Sequence, residues 1–194
     1  MGEVWFVTGG ARSGKSRFAE RLAANTGLDV VYVATMEPLD AELQHRVAQH
    51  RASRPASWRT VEAPRDPAGA LQLAAPAACV LVDCLSLWVT NHLLEHGEAP
   101  SPGDLTRIEA QLEAELATLV THAQGRQGPT ILVTNEVGAG IVPETLLGRA
   151  FRDLLGRVNQ QAAAAAVRAW LMVAGRALVL PDPSLERPAT GGYE

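Results

Sequence analysis

Lysine is almost missing from this sequence. Of the 17 basic residues one is Lys15, and all the others are arginine. Without a second lysine the chain cannot carry an Asn-Lys-x-Asp base-recognition motif, so a GTPase switch of that type is excluded. Cysteine is scarce as well. Cys79 and Cys84 are the only two, too few for a disulfide framework, and a reducing, cytoplasmic setting is the expectation. Positive charge is not in excess. The net charge is −4 with a pI near 5.7, which lacks the basic footprint of a nucleic-acid-binding protein. No apolar run is long enough to span a bilayer. The opening MGEVWFVTGG has neither the basic start nor the long apolar stretch of a signal peptide.

What is present is a chain of 194 residues, 47% hydrophobic and 20% charged, able to bury a sizeable core. One domain over 1–181 is expected, followed by a flexible tail over 182–194. Apolar runs of strand length alternate with stretches of helical period. Segments 4–9, 29–35, 79–84 and 130–137 read as buried strands. Segments 16–25, 39–53, 85–94, 105–123 and 145–166 read as helices. Segment 55–67 reads as a loop with room for a short strand. AWLMVAG and RALVLP read as two final strands with a turn at Gly175. Strands buried on both faces, alternating with helices, predict an α/β fold: a mostly parallel central sheet with helices on both faces.

The lone lysine then finds its reason. Gly9-x-x-x-x-Gly14-Lys15-Ser16, in full GGARSGKS, is a P-loop pattern with a strand before it and a helix after it, and it makes the fold class a P-loop NTPase fold. Through Gly9, Gly10, Ala11, Arg12, Ser13 and Gly14 the backbone N–H groups can curl around a phosphate, the glycines avoiding Cβ clashes. The helix that follows points its positive end at the anion. Ser16 offers a hydroxyl to a magnesium ion bridging phosphate oxygens. Lys15 is a compact charge on a thin stem that can follow a moving phosphoryl group, whereas arginine's planar fork is wider and favours fixed bidentate pairing.

Such a site calls for an acid at the end of a neighbouring strand, to hold magnesium through water. Asp83, after the apolar run VLV, fits that place. It also fits an ordinary helix-capping aspartate, and Asp182 after the last strand is a second candidate. Little basic surface and a short chain argue against a nucleic-acid motor. A small-molecule kinase or nucleotidyl transferase remains, and composition and pattern go no further.

His50 is the next unusual residue. It sits beside the apolar stripe of the predicted 39–53 helix, with Arg46, Arg51, Arg54 and Arg59 nearby in sequence. A cationic setting pushes an imidazole towards its neutral, nucleophilic form. Spacing alone equally describes a surface histidine among solvated arginines.

Six segments occur in order: GGARSGKS, VYVAT, HRASRPASWRTVE, VLVDCLSLWVTN, LVTNEVGAGIVPE and RAFRDLLGRVNQ. Together they resemble the bifunctional adenosylcobinamide kinase / adenosylcobinamide-phosphate guanylyltransferase family of cobalamin biosynthesis, over 4–180. The resemblance implies two activities. One phosphorylates adenosylcobinamide with ATP or GTP. The other transfers GMP from GTP to adenosylcobinamide phosphate through a covalent GMP–histidine, and His50 holds the place of that histidine. Lys15 and Asp83 are the other catalytic candidates. The implied nucleotide contacts are Gly9 to Ser16, Ala34, Thr35, Met36, Arg51, Ala52, Ser53, Arg54, Glu62 and Asp83. Magnesium is implied at Ser16 and, through water, at Asp83. A homo-oligomer is implied too, with a trimer the suggested state. Two other readings stand beside this one: a monofunctional P-loop small-molecule kinase in which His50 is idle, and a non-catalytic nucleotide-binding module that regulates a partner.

The remaining unusual residues have plainer readings. Asn135-Glu136 fits either a γ-phosphate sensor or a turn. Arg149, Arg152 and Arg157 with Asp153 read as an ion-paired helix face. Trp58 and Trp88 read as packing. His45, His92, His96 and His122 lack metal-ligand spacing and read as surface residues.

Overall fold

The computed structural model describes residues 2–37, 54–97 and 99–182. The predicted 39–53 helix and the tail beyond 182 lie outside the described residues. The described strands are β1 (Val4–Gly9), β2 (Val30–Ala34), β3 (Arg59–Glu62), β4 (Cys79–Asp83), β5 (Thr130–Val133), β6 (Arg168–Val173) and β7 (Arg176–Leu180). The described helices are α1 (Lys15–Ala24), α2 (Pro67–Gln72), α3 (Leu85–Leu94), α4 (Pro102–Gln124) and α5 (Leu146–Ala164).

All these strands join one sheet in the order β3-β2-β4-β5-β1-β6-β7. Every pairing is parallel except that of β6 with β7. The mostly parallel sheet is as expected, and its strands read as unbroken apolar runs because both faces are covered. Alternate residues sort to the two sides. Val7, Tyr32, Leu81, Ile131 and Val133 pack with Ala19 and Ala23 of α1. Phe6, Val33, Val82 and Leu132 pack with α3, α4 and α5 through Trp88, Leu112 and Leu155. Each fully buried aliphatic side chain contributes roughly 1.5–3 kcal/mol, and these two layers hold the strand ends rigid. Among the described residues no helix is long and apolar enough to cross a membrane.

Four expectations need correction. Strand β5 ends at Val133 and not at 137, because its pairing with β4 stops at Asp83–Val133; beyond it only β1 is followed, with Thr134 N–H donating to Val7 O and Glu136 N–H to Gly9 O, each at 3.0 Å. Helix α4 starts at Pro102, three residues early. Ser101 and Asp104 form a reciprocal capping box there, and proline is well suited to the first helical position. Helix α2 was not foreseen; Asp66 caps it by accepting from Gly69 N–H at 2.7 Å. Asp83 does not sit on a strand adjoining the P-loop strand, since β5 lies between β1 and β4.

Candidate active site

The C-terminal ends of the parallel strands open on one edge of the sheet, the usual place for ligands in open α/β folds. Strand β1 leads there into the glycine loop and then α1. Two glycines of the loop have a steric cause. A Cβ on Gly9 would lie 2.6 Å from Met172 O and 2.7 Å from Ser13 Oγ. Gly14 has φ of +93° and stands at the start of α1 with no side-chain cap. The first-turn N–H groups of a helix have no partner within it, and α1 also has no acid in its first turn. Its positive end is therefore left for an anion. A cavity of about 590 Å³ opens at this point, lined by Arg12, Lys15, Ser16, Arg17 and Arg21, with Gly175 at its side. Lys15 bends over the loop, its Nζ 3.3 Å from Gly10 O.

The strand register lays out the rest. One rung across the sheet runs Glu62, Ala34, Asp83, Val133, Val7, Trp170. Ala34, Val133, Val7 and Trp170 pack in the α1 layer, so Asp83 and Glu62 project from the α1 side, flanking the small Ala34. Asp83 Oδ2 accepts a hydrogen bond from the Tyr32 hydroxyl at 2.9 Å. Burial, and then the charge of Asp83, push the Tyr32 phenol well above its ordinary range. The peptide bond from Asp83 to Cys84 is cis. Burial raises the Cys84 thiol to about 11, with the charge of Asp83 acting in the same direction.

Thr35 is fully buried and knits two strand ends together. Its Oγ1 donates to Cys84 O at 2.7 Å and accepts from Cys84 N–H at 2.8 Å, while its carbonyl accepts from Asn91 Nδ2 at 2.9 Å. Met36 is half-buried just beyond it. Arg54 is turned inward, its side chain 7% exposed. Its guanidinium lies 3.3 Å from the centroid of the Tyr32 ring, and its Nε is 3.8 Å from Glu20 Oε1 on α1. The fold thus brings together the glycine loop, Asp83, Ala34, Thr35, Glu62 and Arg54 at one edge. His50, Arg51, Ala52 and Ser53 lie outside the described residues.

Asn135 and Glu136 stand between the loop and Asp83. Asn135 Nδ2 donates to Ser86 Oγ at 2.9 Å and its carbonyl accepts from Asn159 Nδ2 at 3.0 Å. Thr134 Oγ1 donates to Asn159 Oδ1 at 2.7 Å. Ser86, Thr134 and Asn159 were not singled out in the sequence, and neither was Tyr32. The signal for Tyr32 was there: strand alternation puts it on the face of Ala34, beside the strand that ends in Asp83.

The other expectations fare unevenly. Trp88 is fully buried, as expected of packing, and its Nε1 donates to Arg65 O at 3.2 Å. His92 is not a surface residue. It is 4% exposed, with Nε2 3.1 Å from Glu115 Oε2 and its ring edge-on to Trp88, because α3 is covered nearly all round. His122 is half-buried, with Nδ1 3.1 Å from Ala68 O. Arg152 pairs with Asp153 at 3.5 Å, whereas Arg157 reaches Glu109 of α4 at 2.5 Å and Arg149 donates to the carbonyls of Pro143 and Glu144.

A glycine loop closing on an uncapped helix start, at the edge of a mostly parallel sheet, defines a P-loop nucleotide-binding fold. The fold alone is shared with a solved structure described as a prototypical ATPase from the type III secretion system of pathogenic bacteria, at TM-score 0.55 and 13% identity, over 88% of this chain and 51% of that one. Within the class, the chain belongs to the cobinamide kinase / cobinamide phosphate guanyltransferase family, whose model matches residues 5–180. It is 45% identical over 172 residues to the bifunctional adenosylcobalamin biosynthesis protein CobU of Escherichia coli strain K12, covering 87% of this chain and 94% of that protein. It is 45% identical over 183 residues to the bifunctional adenosylcobalamin biosynthesis protein CobP of Pseudomonas aeruginosa, covering 94% of this chain and 97% of that protein.

Proposed function

We propose that this enzyme carries out both activities of its family at one phosphate cradle: phosphorylation of adenosylcobinamide by ATP or GTP, and transfer of GMP from GTP to adenosylcobinamide phosphate. The observation that carries the reading is the uncapped start of α1 beneath the glycine loop with Lys15, in a chain that matches the family from 5 to 180.

In the guanylyl step the loop amides and Lys15 hold the β- and γ-phosphates, which leave together as pyrophosphate. A nitrogen of neutral His50 attacks the α-phosphorus; an N–P bond forms as the bond from that phosphorus to the β-phosphate oxygen breaks. A phosphate oxygen of adenosylcobinamide phosphate then attacks the same phosphorus, the N–P bond breaks, and the imidazole is restored. In the kinase step the substrate hydroxyl attacks the γ-phosphorus; a new P–O bond forms as the bond to the bridging β-phosphate oxygen breaks, nucleoside diphosphate leaves, and the hydroxyl proton goes to a carboxylate. Asp83 or Glu62, which share one rung of the sheet, is the carboxylate assigned to it in this reading. Preorganised charge at the departing oxygens is the main catalytic contribution to such transfers.

Magnesium fits the donors present. Ser16 and Asp83 offer hard oxygens, and among the described residues no group of three His, Cys, Asp or Glu side chains could hold an ion unaided. The ion suited to this site is therefore one that arrives with the nucleotide, and when bound it neutralises phosphate charge. Work in the cytoplasm, as a homo-oligomer built of one domain per chain, completes the reading; the joining of every described strand into one sheet supports the single domain.

The test is incubation with GTP labelled at the α-phosphate. Acid-labile label on the protein, discharged by adenosylcobinamide phosphate, is expected; no covalent label under turnover conditions overturns the histidine route.

A further inference from the structure

Tyr32 occupies an unusual place in the apolar α1 layer. Its ring is 3% exposed among Val30, Cys79 and Leu81, where a phenylalanine would pack as well. Its hydroxyl is spent on one acceptor, Asp83 Oδ2, at 2.9 Å. The ring is held from above by the Arg54 guanidinium at 3.3 Å, itself 3.8 Å from Glu20 of α1 and 3.5 Å from Thr60 Oγ1 of β3. Four elements of the fold thus fix one phenol, and the phenol fixes one carboxylate.

We propose that Tyr32 is a positioning residue for Asp83 in both half-reactions. This rests on the assignment of Asp83 as the acid that serves the magnesium nucleotide. A free aspartate samples several rotamers, whereas one tied through Oδ2 offers Oδ1 in a single orientation. Partners that orient a ligating carboxylate matter about tenfold to a hundredfold in affinity or activity, because small displacements at a reacting centre are costly. Arg54 acts at one remove, holding the ring flat against the layer.

Three variants test this: Tyr32→Phe, Asp83→Asn and the double substitution. Tyr32→Phe keeps the ring and its cation contact, so its thermal midpoint should stay near that of the parent, and assays are run well below the midpoint of the least stable variant. The affinity for GTP is measured by calorimetry with magnesium and again in EDTA, beside kcat and KM for each activity. Tyr32→Phe should weaken magnesium–GTP about tenfold and lower kcat, with GTP in EDTA and the corrinoid KM unchanged. In the Asp83→Asn background it should add nothing. Equal weakening with and without magnesium, no weakening at all, or a full extra loss in the double variant overturns the inference. If Asp83→Asn alone behaves as the parent, the assignment of Asp83 fails first, and that result is separate from the Tyr32 arm.

Discussion

Gly175 N–H donates to Ser13 O at 2.9 Å, so the hairpin turn between β6 and β7 is fastened to the phosphate loop. The same turn explains why residue 14 must be glycine. A Cβ there would stand 3.3 Å from Gly175 Cα, and φ at Gly14 is +93°. Gly14→Ala should therefore cost on the order of 1–3 kcal/mol at a strained backbone position, and nucleotide affinity should fall with it. Thermal unfolding with and without GTP checks both; an unchanged midpoint together with unchanged binding would show that the loop tolerates the side chain.

Lys15→Arg should impair both activities severely. The guanidinium is wider than an ammonium and seeks a fixed fork of acceptors, while the Lys15 ammonium lies close against the loop, 3.3 Å from Gly10 O. A loss of about a hundredfold or more in kcat/KM for each step is expected. Steady-state rates for the two half-reactions measure it, and near-parental turnover in either would refute the steric argument.

The layered fold was legible because its strands are apolar on both faces, and 4–9 could be read directly, as could 79–84 to within one residue. The glycine loop was legible because a single lysine stood out among arginines. Strand order was not, since nothing local in Val133 or Asp83 states that β5 lies between the loop strand and the acid strand. The tie between Tyr32 and Asp83 spans 51 positions, and only the register of β2 on β4 brings the two together. His92 misled for the opposite reason. A helix apolar on most sides has no clear stripe, so a polar residue on it looks exposed when it is enclosed. The candidate nucleotide contacts Thr35 and Arg54 rest on resemblance, and the structure adds what periodicity could not: both side chains are already engaged within the protein.

Alkaline pH should destabilise the protein in a defined window. Burial raises the Cys79 thiol from its ordinary value of 9.0 to about 12. The folded form therefore keeps its proton at pH values where the unfolded chain has lost it. That contribution is complete below pH 9 and is lost as pH rises from about 9 towards 12, with a slope of up to about 1.4 kcal/mol per pH unit. Cys79→Ala should flatten this part of the profile, at the cost of a small cavity that lowers stability evenly at all pH values. Denaturant titrations between pH 8 and 10.5 measure the slope; equal slopes in parent and variant would remove the cysteine from the account.

His50→Ala separates the two chemistries assigned to the cradle. On the route proposed above, the kinase step uses the glycine loop, Lys15 and a carboxylate, with no bond to an imidazole, whereas the guanylyl step uses a nitrogen nucleophile for its first displacement. The variant should therefore keep much of its kinase turnover, form no acid-labile adduct from α-labelled GTP, and release no pyrophosphate dependent on adenosylcobinamide phosphate. Product analysis of both half-reactions on one enzyme preparation decides the matter. Equal loss of the two would mean that His50 supports the fold or nucleotide binding in general, and retained guanylylation would mean that GMP passes to the acceptor without a protein-bound stage.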